Sequence, residues 1–302
     1  MKANELLELA VYHLIRVMPV GLCSRAGSAL ALPLGRRNEA AQDARAAALF
    51  ARLRPELAAD PAAMERELEA LWRNIGRTFA EYAALDHILA EGRAPIEGIE
   101  HLDDAMAGPR PTIVAFVHLG HWDIPPMQMA LRYPWRGMAV WNVPQSRTRA
   151  RIGKAARDRL PGRLLQTGPG IWRAALEFLA NPRNGLLLAA DGHDRDGLCR
   201  FPGFGSLPPH GSGADKLVRL ARETGALIVP LYSLRLVGAR FRTVFQPPFD
   251  PAAMSHAAAL ATLEARFAPV VRQHLTQWYM ALLYSPEPIA VCCHHRDRKS
   301  VV

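Results

Sequence analysis

The stretch IVAFVHLGHWD spans residues 113–123 and passes from five apolar residues to a run of polar and aromatic ones. The apolar run Ile113–Val117 predicts a buried β-strand. His118 stands at the end of that strand, and Gly120 permits a tight turn, so that Asp123 can fold back beneath the imidazole. A carboxylate on one ring nitrogen fixes the tautomer and makes the other nitrogen a stronger base. The stretch therefore predicts a His/Asp base, although a purely structural histidine gives the same pattern.

Short apolar runs of the same kind recur along the chain and alternate with helical stretches. The predicted strands are Ile113–Val117, Gly137–Trp141, Gly185–Ala190, Ala226–Leu231 and Phe241–Phe245, and Ala174–Ala180 and Asp215–Thr224 are predicted to form parts of helices between them. Strand–helix alternation is typical of an α/β fold with a mostly parallel central sheet and helices on both faces. Sites in such sheets lie at the carboxyl ends of the strands, which is where His118 stands.

The part of the chain before this sheet is predicted to be an N-terminal helical region. In residues 1–35, one helical face carries the apolar residues Leu7, Val11, Leu14, Ile15 and Met18. This segment either lies in a membrane interface or packs on the core. Residues 38–92 carry two more helical segments, with Pro61 suited to a first turn. We expect a membrane-associating segment at 1–35, a single α/β domain at 36–290 that is helical to about residue 110, and a frayed tail at 291–302.

Composition narrows the class of protein. Of the 302 residues, 50% are hydrophobic and 22% are charged, which is the balance of a globular protein. No uncharged run exceeds 14 residues, which is too short for a standard membrane-spanning helix. The four cysteines do not make a disulfide framework, and Arg16 and Arg25 interrupt the N-terminal apolar stretch, so a cleavable signal peptide is not indicated. The sequence indicates a reducing, cytosolic compartment.

The formal net charge of +9 is unevenly distributed. Residues 1–110 carry 13 basic and 16 acidic side chains, whereas residues 111–302 carry 24 and 12. Residues 132–173 hold ten basic side chains against Asp158 alone. Such a patch suits phosphates, an acidic protein or an anionic bilayer, or it is simply a solvated face. Nucleic acid is not expected, because aromatic residues are sparse in this stretch and no recognised nucleic-acid motif is present.

Several motifs, taken in order, resemble one known family. His118-x-Gly120-x-Trp122-Asp123 resembles the H-x4-D/E signature of the bacterial lipid A biosynthesis acyltransferases, the lauroyl/myristoyl transferase group of the lysophospholipid acyltransferase superfamily. Further similar motifs are Gly162-Arg163, the run from Gly185 to Asp191, Phe204-Gly205 with Pro209 and Gly211, and Ala226–Pro230. The resemblance covers about residues 5–280. The chain departs from the family's usual pattern at Val117, at Val140-Trp141-Asn142 and at Trp278-Tyr279-Met280-Ala281.

The resemblance implies acyl transfer from a thioester of acyl carrier protein or coenzyme A to a hydroxyl of a lipid, with a lipid A precursor or a related glycolipid as acceptor. It implies His118 as general base, Asp123 as its orienting partner, and Arg163, Asp191, Gly120 and Trp122 as substrate-binding residues. Arg163 would hold a phosphate or the oxyanion, and Asp191 would support the site. The resemblance implies no metal and no cofactor besides the acyl donor. The resemblance also implies that the protein is located on the cytoplasmic face of the bacterial inner membrane, either as a peripheral protein or anchored by its N-terminal segment.

Other interpretations stay open at the level of the sequence. The same His/Asp pair would serve a thioesterase or hydrolase, and the basic half would serve a non-catalytic binder of anionic lipid or nucleic acid. Asp191–Asp196 is interpreted as a polar loop in preference to a metal site, and Ser212 as a helix cap in preference to an anion site. Cys292–His295 is interpreted as tail, because adjacent ligands without a second pair do not make a zinc site.

Overall fold

The computed structural model describes residues 12–134, 136–141, 150–151, 153–154 and 163–286. These residues contain a sheet whose strands are β1 (Ile96–Glu97), β2 (Thr112–Phe116), β3 (Gly137–Trp141), β4 (Arg163–Gln166), β5 (Gly185–Ala189), β6 (Leu227–Arg235) and β7 (Phe241–Phe245). The order across the sheet is β1-β7-β6-β2-β5-β3-β4. Neighbouring strands are parallel except β6 and β7, which pair antiparallel. The predicted α/β class with a mostly parallel sheet is confirmed.

The five predicted strands agree with observed strands to within a few residues. The prediction works for β2 because a strand that is buried on both sides must be apolar throughout, and all five residues of β2 are buried. Strand β6 runs on to Arg235, beyond the predicted end at Leu231, because its last part pairs with β7. Strands β1 and β4 escape the prediction, since the first has two residues and the second has no buried residue.

The helices in the described part of the chain cover both faces of the sheet. In chain order they include α1 (Val20–Leu30), α2 (Ala40–Leu53), α3 (Pro55–Ala59), α4 (Pro61–Glu81), α5 (Leu85–Ala90), α6 (Ile99–Ala107), α7 (Ile124–Arg132), α8 (Ile171–Leu179), α9 (Gly213–Thr224) and α10 (His256–Gln273). One apolar core lies between the sheet and helices that include α2, α4, α9 and α10. A second core lies on the opposite face, beneath α6 and α7. The predicted two-sided arrangement is confirmed, and it leaves the ends of the strands as the place for a site.

Helix α1 packs against α4, so this part of the predicted amphipathic segment contacts the core. At the crossing, a Cβ added to either Gly27 or Gly76 would lie 2.3 Å from the backbone oxygen of the other, which explains why both positions hold glycine. On the outer side, Leu22 and Leu30 of α1 remain exposed. The predicted helical region before the sheet is confirmed, and α1 has both a packed side and an apolar side that faces outward.

Two further predictions from the sequence can be compared with the structure. Asp60 caps α4 by accepting the backbone N–H of Ala63 at 2.9 Å, and Pro61 occupies the first turn as predicted. Among the helices of the described residues, none has both the length and the apolar content that a membrane span requires. The predicted tail 291–302 lies outside the described residues, as do Cys292–His295, Gly162 and the basic residues Arg147, Arg149, Arg157 and Arg159.

Candidate active site

His118 and Asp191 meet at the carboxyl ends of two neighbouring strands. Phe116 in β2 pairs with Ala189 in β5, and each of the two functional residues stands two positions further along its own strand direction. Asp191 Oδ1 lies 2.8 Å from Nδ1 of His118, and Asp191 Oδ2 accepts the backbone N–H of His118 at 2.8 Å. The carboxylate therefore fixes both the ring and the backbone. Nε2 is then the ring nitrogen that can take a proton from a substrate.

In the His118–Asp191 pair, the carboxylate is buried and the imidazole is partly exposed. The Asp191 side chain is 0% exposed, whereas the His118 side chain is 22% exposed. A buried carboxylate is poorly screened by water, so it stabilises a positive charge that forms on the neighbouring imidazole. The imidazole itself keeps enough exposed surface to meet a substrate. This combination is the one that general base catalysis needs.

Trp278 completes the hydrogen bonding of Asp191. Its buried indole N–H donates to Asp191 Oδ2 at 2.8 Å. The next residue, Tyr279, donates its backbone N–H to the carbonyl oxygen of His118 at 3.0 Å. The segment after α10 thus closes against the loop after β2. Sequence reasoning gave Trp278 no role in the site, because its partner is 87 residues away and no local pattern marks the contact.

The structure does not bring Asp123 to the imidazole, where the sequence predicted it as the partner of His118. Asp123 stands directly before α7, is 5% exposed and accepts a hydrogen bond from the hydroxyl of Tyr82. The parallel register of β2 and β5 brings Asp191 level with His118, whereas the turn after His118 carries Asp123 to the start of α7. The carboxylate at Nδ1 is therefore that of Asp191, which was predicted only to support the site.

Gly120 shapes the turn that follows His118, and this also differs from its predicted substrate-binding role. Its φ is +62°, and a Cβ would lie 2.4 Å from the backbone oxygen of Ser233. Its N–H donates to the carbonyl oxygen of Gln277 at 3.0 Å, and its carbonyl accepts from the hydroxyl of Thr78 at 3.1 Å. Both backbone groups of Gly120 are thus engaged inside the protein, and glycine is required by conformation and by space.

A buried ion pair is connected to the same turn through Thr78. Arg235, at the end of β6, contacts both carboxylate oxygens of Glu81 at 2.6 and 2.7 Å and the hydroxyl of Thr78 at 2.9 Å. The side chains of Arg235 and Glu81 are 5% and 0% exposed. The guanidinium also stacks 4.8 Å from the ring centre of Phe241. Removing one partner would leave an uncompensated buried charge, at a cost of about 3–5 kcal/mol.

Aromatic rings lead from the surface to His118. The ring of Trp122 lies 5.6 Å from the imidazole and 5.0 Å from the ring of Tyr279, measured between ring centres. Phe79 lies 6.2 Å from each of these two rings and is 55% exposed. Burial raises the pKa of Tyr279, so its phenol stays neutral. The structure thus brings Trp122 to the site, in an apolar surface that suits a hydrocarbon chain.

Arg163 is the predicted site residue that the structure does not bring to His118. It lies exposed at the amino end of β4, three strands away from β2 at the sheet's edge. Strand spacing and rise place it on the order of 20 Å from His118, which exceeds the reach of an arginine side chain. The structure therefore does not bring Arg163 to His118, and its role in holding a phosphate or the oxyanion stays a prediction. The basic motif lies on an edge strand, and its distance from β2 could not be seen without the strand order.

The loop after β5 places polar groups beside the pair. The pKa of His193 is lowered, first by burial and then by its electrostatic interaction with His118. Asp194 pairs with the buried Arg200 at 2.6 Å and accepts the backbone N–H groups of Asp196 and Leu198, so it holds the loop closed. Burial raises the pKa of Asp194, but these hydrogen bonds together outweigh it and leave the pKa lowered.

Helix α9 begins next to this loop, where its first residues pack on the end of β5. Ser212 caps the helix, as predicted, by accepting the backbone N–H of Asp215 at 3.2 Å. A Cβ on Gly213 would lie 2.7 Å from the backbone oxygen of Ala190 and 2.8 Å from that of Gly192. The close approach fixes the start of α9 against the loop that carries Asp191.

Comparison with known proteins identifies the family. The model of one family, described as bacterial lipid A biosynthesis acyltransferase, matches residues 2–283. Among solved structures, the chain is similar to the 1-acyl-sn-glycerophosphate (LPA) acyltransferase PlsC from Thermotoga maritima, with 16% identity, 68% of this chain and 86% of that chain covered, and a TM-score of 0.38. Comparison with curated proteins gives no match. Because the family model spans nearly the whole chain, the protein belongs to the bacterial lipid A biosynthesis acyltransferase family.

Proposed function

We propose that this protein transfers a fatty acyl chain from an acyl thioester, carried by acyl carrier protein or coenzyme A, to a hydroxyl of a lipid acceptor. The acceptor is a lipid A precursor or a related glycolipid, and His118 is the general base. The observation that carries the proposal is the contact between His118 Nδ1 and the buried carboxylate of Asp191. It leaves Nε2 of the partly exposed imidazole as the ring nitrogen that can accept a proton from an acceptor hydroxyl.

In the proposed reaction, Nε2 of His118 takes the proton of the acceptor hydroxyl as its oxygen attacks the thioester carbonyl carbon. Asp191 stabilises the imidazolium that forms. The tetrahedral intermediate then collapses, the carbon–sulfur bond breaks, and the imidazolium returns the proton to the leaving thiolate. A thioester carbonyl is already electrophilic, so the reaction needs neither a covalent acyl-enzyme nor a metal ion or cofactor besides the acyl donor.

The acyl chain has an apolar surface to lie on. Phe79, Trp122 and Tyr279 form a continuous aromatic surface from solvent to the imidazole. Aromatic rings bury large apolar area at low cost in side-chain entropy, which suits a flexible hydrocarbon. A chain held there would present its thioester carbon to the acceptor oxygen next to Nε2.

The same proposal places the enzyme on the cytoplasmic face of the inner membrane. Its support is the amphipathic pattern of residues 1–35 together with the exposed Leu14, Val17, Leu22, Leu30 and Leu34. Apolar side chains on one side of interfacial helices, with basic residues nearby, are typical of binding to an anionic bilayer. A peripheral position would bring the lipid acceptor within reach of His118 without a membrane span.

The test compares His118→Ala with a matched control, His87→Ala, which changes an exposed histidine in α5. Thiol release from acyl-carrier-protein and acyl-coenzyme A thioesters is measured with and without a total lipid extract, and the lipids are analysed by mass spectrometry. We expect release that depends on lipid and on His118, with a new acylated lipid and normal activity in His87→Ala. Release without lipid would identify a thioesterase instead, and full activity in folded His118→Ala would refute the proposed base.

A further inference from the structure

An open cavity of about 460 Å³ lies on the face of the sheet that α10 covers. Its walls come from the end of β6, the start of β7 and the last turns of α10. The register Leu234↔Arg242 places it level with the residues that follow β2. None of its lining residues is among those described above as contacting His118 or Asp191.

The cavity gathers positive charge. Arg242 from β7, Arg266 from α10 and His274 after α10 all line it. Glu97 meets Arg242 at 3.6 Å, but in the described part of the chain neither Arg266 nor His274 has an acidic partner. The pKa of His274 is lowered first by burial and then by the positive charge of Arg242, so the two groups interact electrostatically. Two arginines and one carboxylate leave the cavity with a net positive charge, while the lowered pKa of His274 keeps its imidazole neutral near pH 7.

The cavity also offers hydrogen-bond donors. Nε of Arg242 is buried, and within the described residues no acceptor is bonded to it. Tyr232 lines the same wall, and burial is the first cause of its raised pKa, so its hydroxyl keeps a proton to donate. The Arg242 side chain as a whole is 41% exposed, so an anionic oxygen in the cavity can accept charge-assisted hydrogen bonds from its guanidinium group.

The cavity also has apolar lining residues, Leu234, Pro269 and Val270, beside the polar Gln246 and Gln273. A bare ion would use only the cationic side, whereas a phosphate carried on a sugar or lipid headgroup would use both. The cavity volume is within the range of small-molecule sites in proteins.

We propose that this cavity binds a phosphomonoester, with the phosphate between Arg242 and Arg266 and its organic part against Leu234 and Val270. Arginine binds phosphate through paired N–H donors, which is the chemistry that two guanidinium groups on one cavity provide. The occupant would contact His274, at the start of the segment that carries Trp278 to Asp191. The proposal does not depend on acyl transfer, and it is tested by binding alone.

The experiment follows the imidazole signals of His274 by NMR in the full-length protein. The probes are inorganic phosphate, glucose 1-phosphate, and phosphatidylcholine vesicles with and without phosphatidic acid. The variants are Arg266→Gln and the double change Arg242→Gln/Arg266→Gln, with Arg183→Gln as control, an exposed arginine that precedes β5 and does not line the cavity. Arg266→Gln keeps the pair between Arg242 and Glu97 and remains informative if the double variant is unstable.

We expect at least one phosphomonoester to shift the His274 signals saturably in the wild type and in Arg183→Gln. Loss of one charge-assisted hydrogen bond should weaken this binding by about tenfold in Arg266→Gln, and by more in the double variant. A response to the free compounds would identify a soluble phosphomonoester, and a response only to phosphatidic acid vesicles would identify a lipid headgroup. Equal binding by the arginine variants, or no shift with any probe, would overturn the proposal.

Discussion

At the scale of single residues, the site depends on one carboxylate with two tasks. Asp191 orients the ring of His118 through Oδ1, while Oδ2 takes the backbone N–H of His118 and the indole N–H of Trp278. Three hydrogen bonds on two oxygens leave the carboxylate little freedom to rotate. The imidazole is therefore held before a substrate arrives, which lowers the cost of orienting it during the reaction.

Asp191→Asn and Asp123→Asn distinguish the observed arrangement from the one predicted by spacing alone. An amide at 191 can hold the ring in the wrong tautomer and does not stabilise the imidazolium, so kcat should fall by about 10³-fold or more. Asp123→Asn should change kcat much less, because the Tyr82 hydroxyl can still donate to the amide oxygen. The check is kcat measured with thiol release for both variants. A larger loss at Asp123 would mean that Asp123 is the working partner in solution.

The sequence predicted His118 but not its partner, and the reason is geometric. His118 follows an apolar run, and the end of such a run is visible as a change in composition. The partner depends on which strands are neighbours and in what register, and β2 and β5 are more than 70 residues apart in the chain. Trp122 was predicted because it lies in the same motif, whereas Phe79 and Tyr279 come from distant segments that no local pattern connects to it.

At the scale of elements, the crossing of α1 and α4 shows how backbone contact fixes the N-terminal region. Gly27 and Gly76 let the two helices approach until backbone meets backbone. Close crossings of this kind gain dispersion contacts along both helices, which α1 needs because part of its apolar surface points outward. The sequence predicts a helix here, and its alternative of packing on the core fits residues 20–30.

Gly27→Ala should therefore destabilise the protein, whereas Gly21→Ala in the same helix should not. The new methyl group at 27 would lie 2.3 Å from the Gly76 carbonyl oxygen and must force the helices apart, at a cost of about 1–3 kcal/mol. At Gly21 no atom lies within 4 Å of the added Cβ, and the change should stabilise the helix by up to about 1 kcal/mol. Urea unfolding of both variants measures the difference, and equal shifts in the same direction would contradict the close crossing.

Arg110 ties the entry of β2 to the loop before α10. It contacts both oxygens of Asp250 at 2.6 and 2.8 Å, and its hydrogen bond lowers the pKa of Asp250 to about 2. A lowered pKa stabilises the folded state above the unfolded value near pH 4, and this stabilisation is lost as the pH falls towards 2. Asp250→Asn should cost about 1 kcal/mol at pH 7, since the two side chains are about one third exposed and solvent screens the pair.

The check is chemical unfolding of wild type, Asp250→Asn and the control Glu223→Gln, an exposed acid in α9, at a series of pH values. The difference between wild type and Asp250→Asn should be full at pH 7 and should shrink below pH 4. A difference that persists unchanged at pH 2 would show that the ion pair is not its cause. Glu223→Gln should match the wild type throughout.

At the scale of the whole molecule, the exposed basic residues and the candidate catalytic residues lie in different parts of the sheet. The described basic residues Arg163 and Arg173 are exposed near the β4 edge of the sheet, while His118 lies at its centre. Other members of the basic stretch serve the fold, as Arg136 shows by donating to the carbonyl oxygens of Met106 and Arg183. Exposed cations at an edge increase the encounter rate with an anionic partner without touching the reacting atoms.

Arg163→Gln/Arg173→Gln should accordingly raise KM for an acyl-carrier-protein donor by several-fold and leave kcat unchanged. The wild-type KM should rise with salt, and the double variant should depend on salt less steeply. Steady-state kinetics over a range of ionic strength provide the measurement. Arg45→Gln, on the acidic N-terminal half, is the control. A fall in kcat with unchanged KM would show that the two arginines act on the chemistry and not on docking.

The turn after His118 is held by Thr78 and Gln277, and the ion pair beneath it joins Glu81 to Arg235, 154 residues apart. Each of these contacts closes a long loop, and loop closure is what makes folding slow when contacts are distant in sequence. We therefore expect the active site to form late in folding. After dilution from denaturant, helical signal should return before enzymatic activity does.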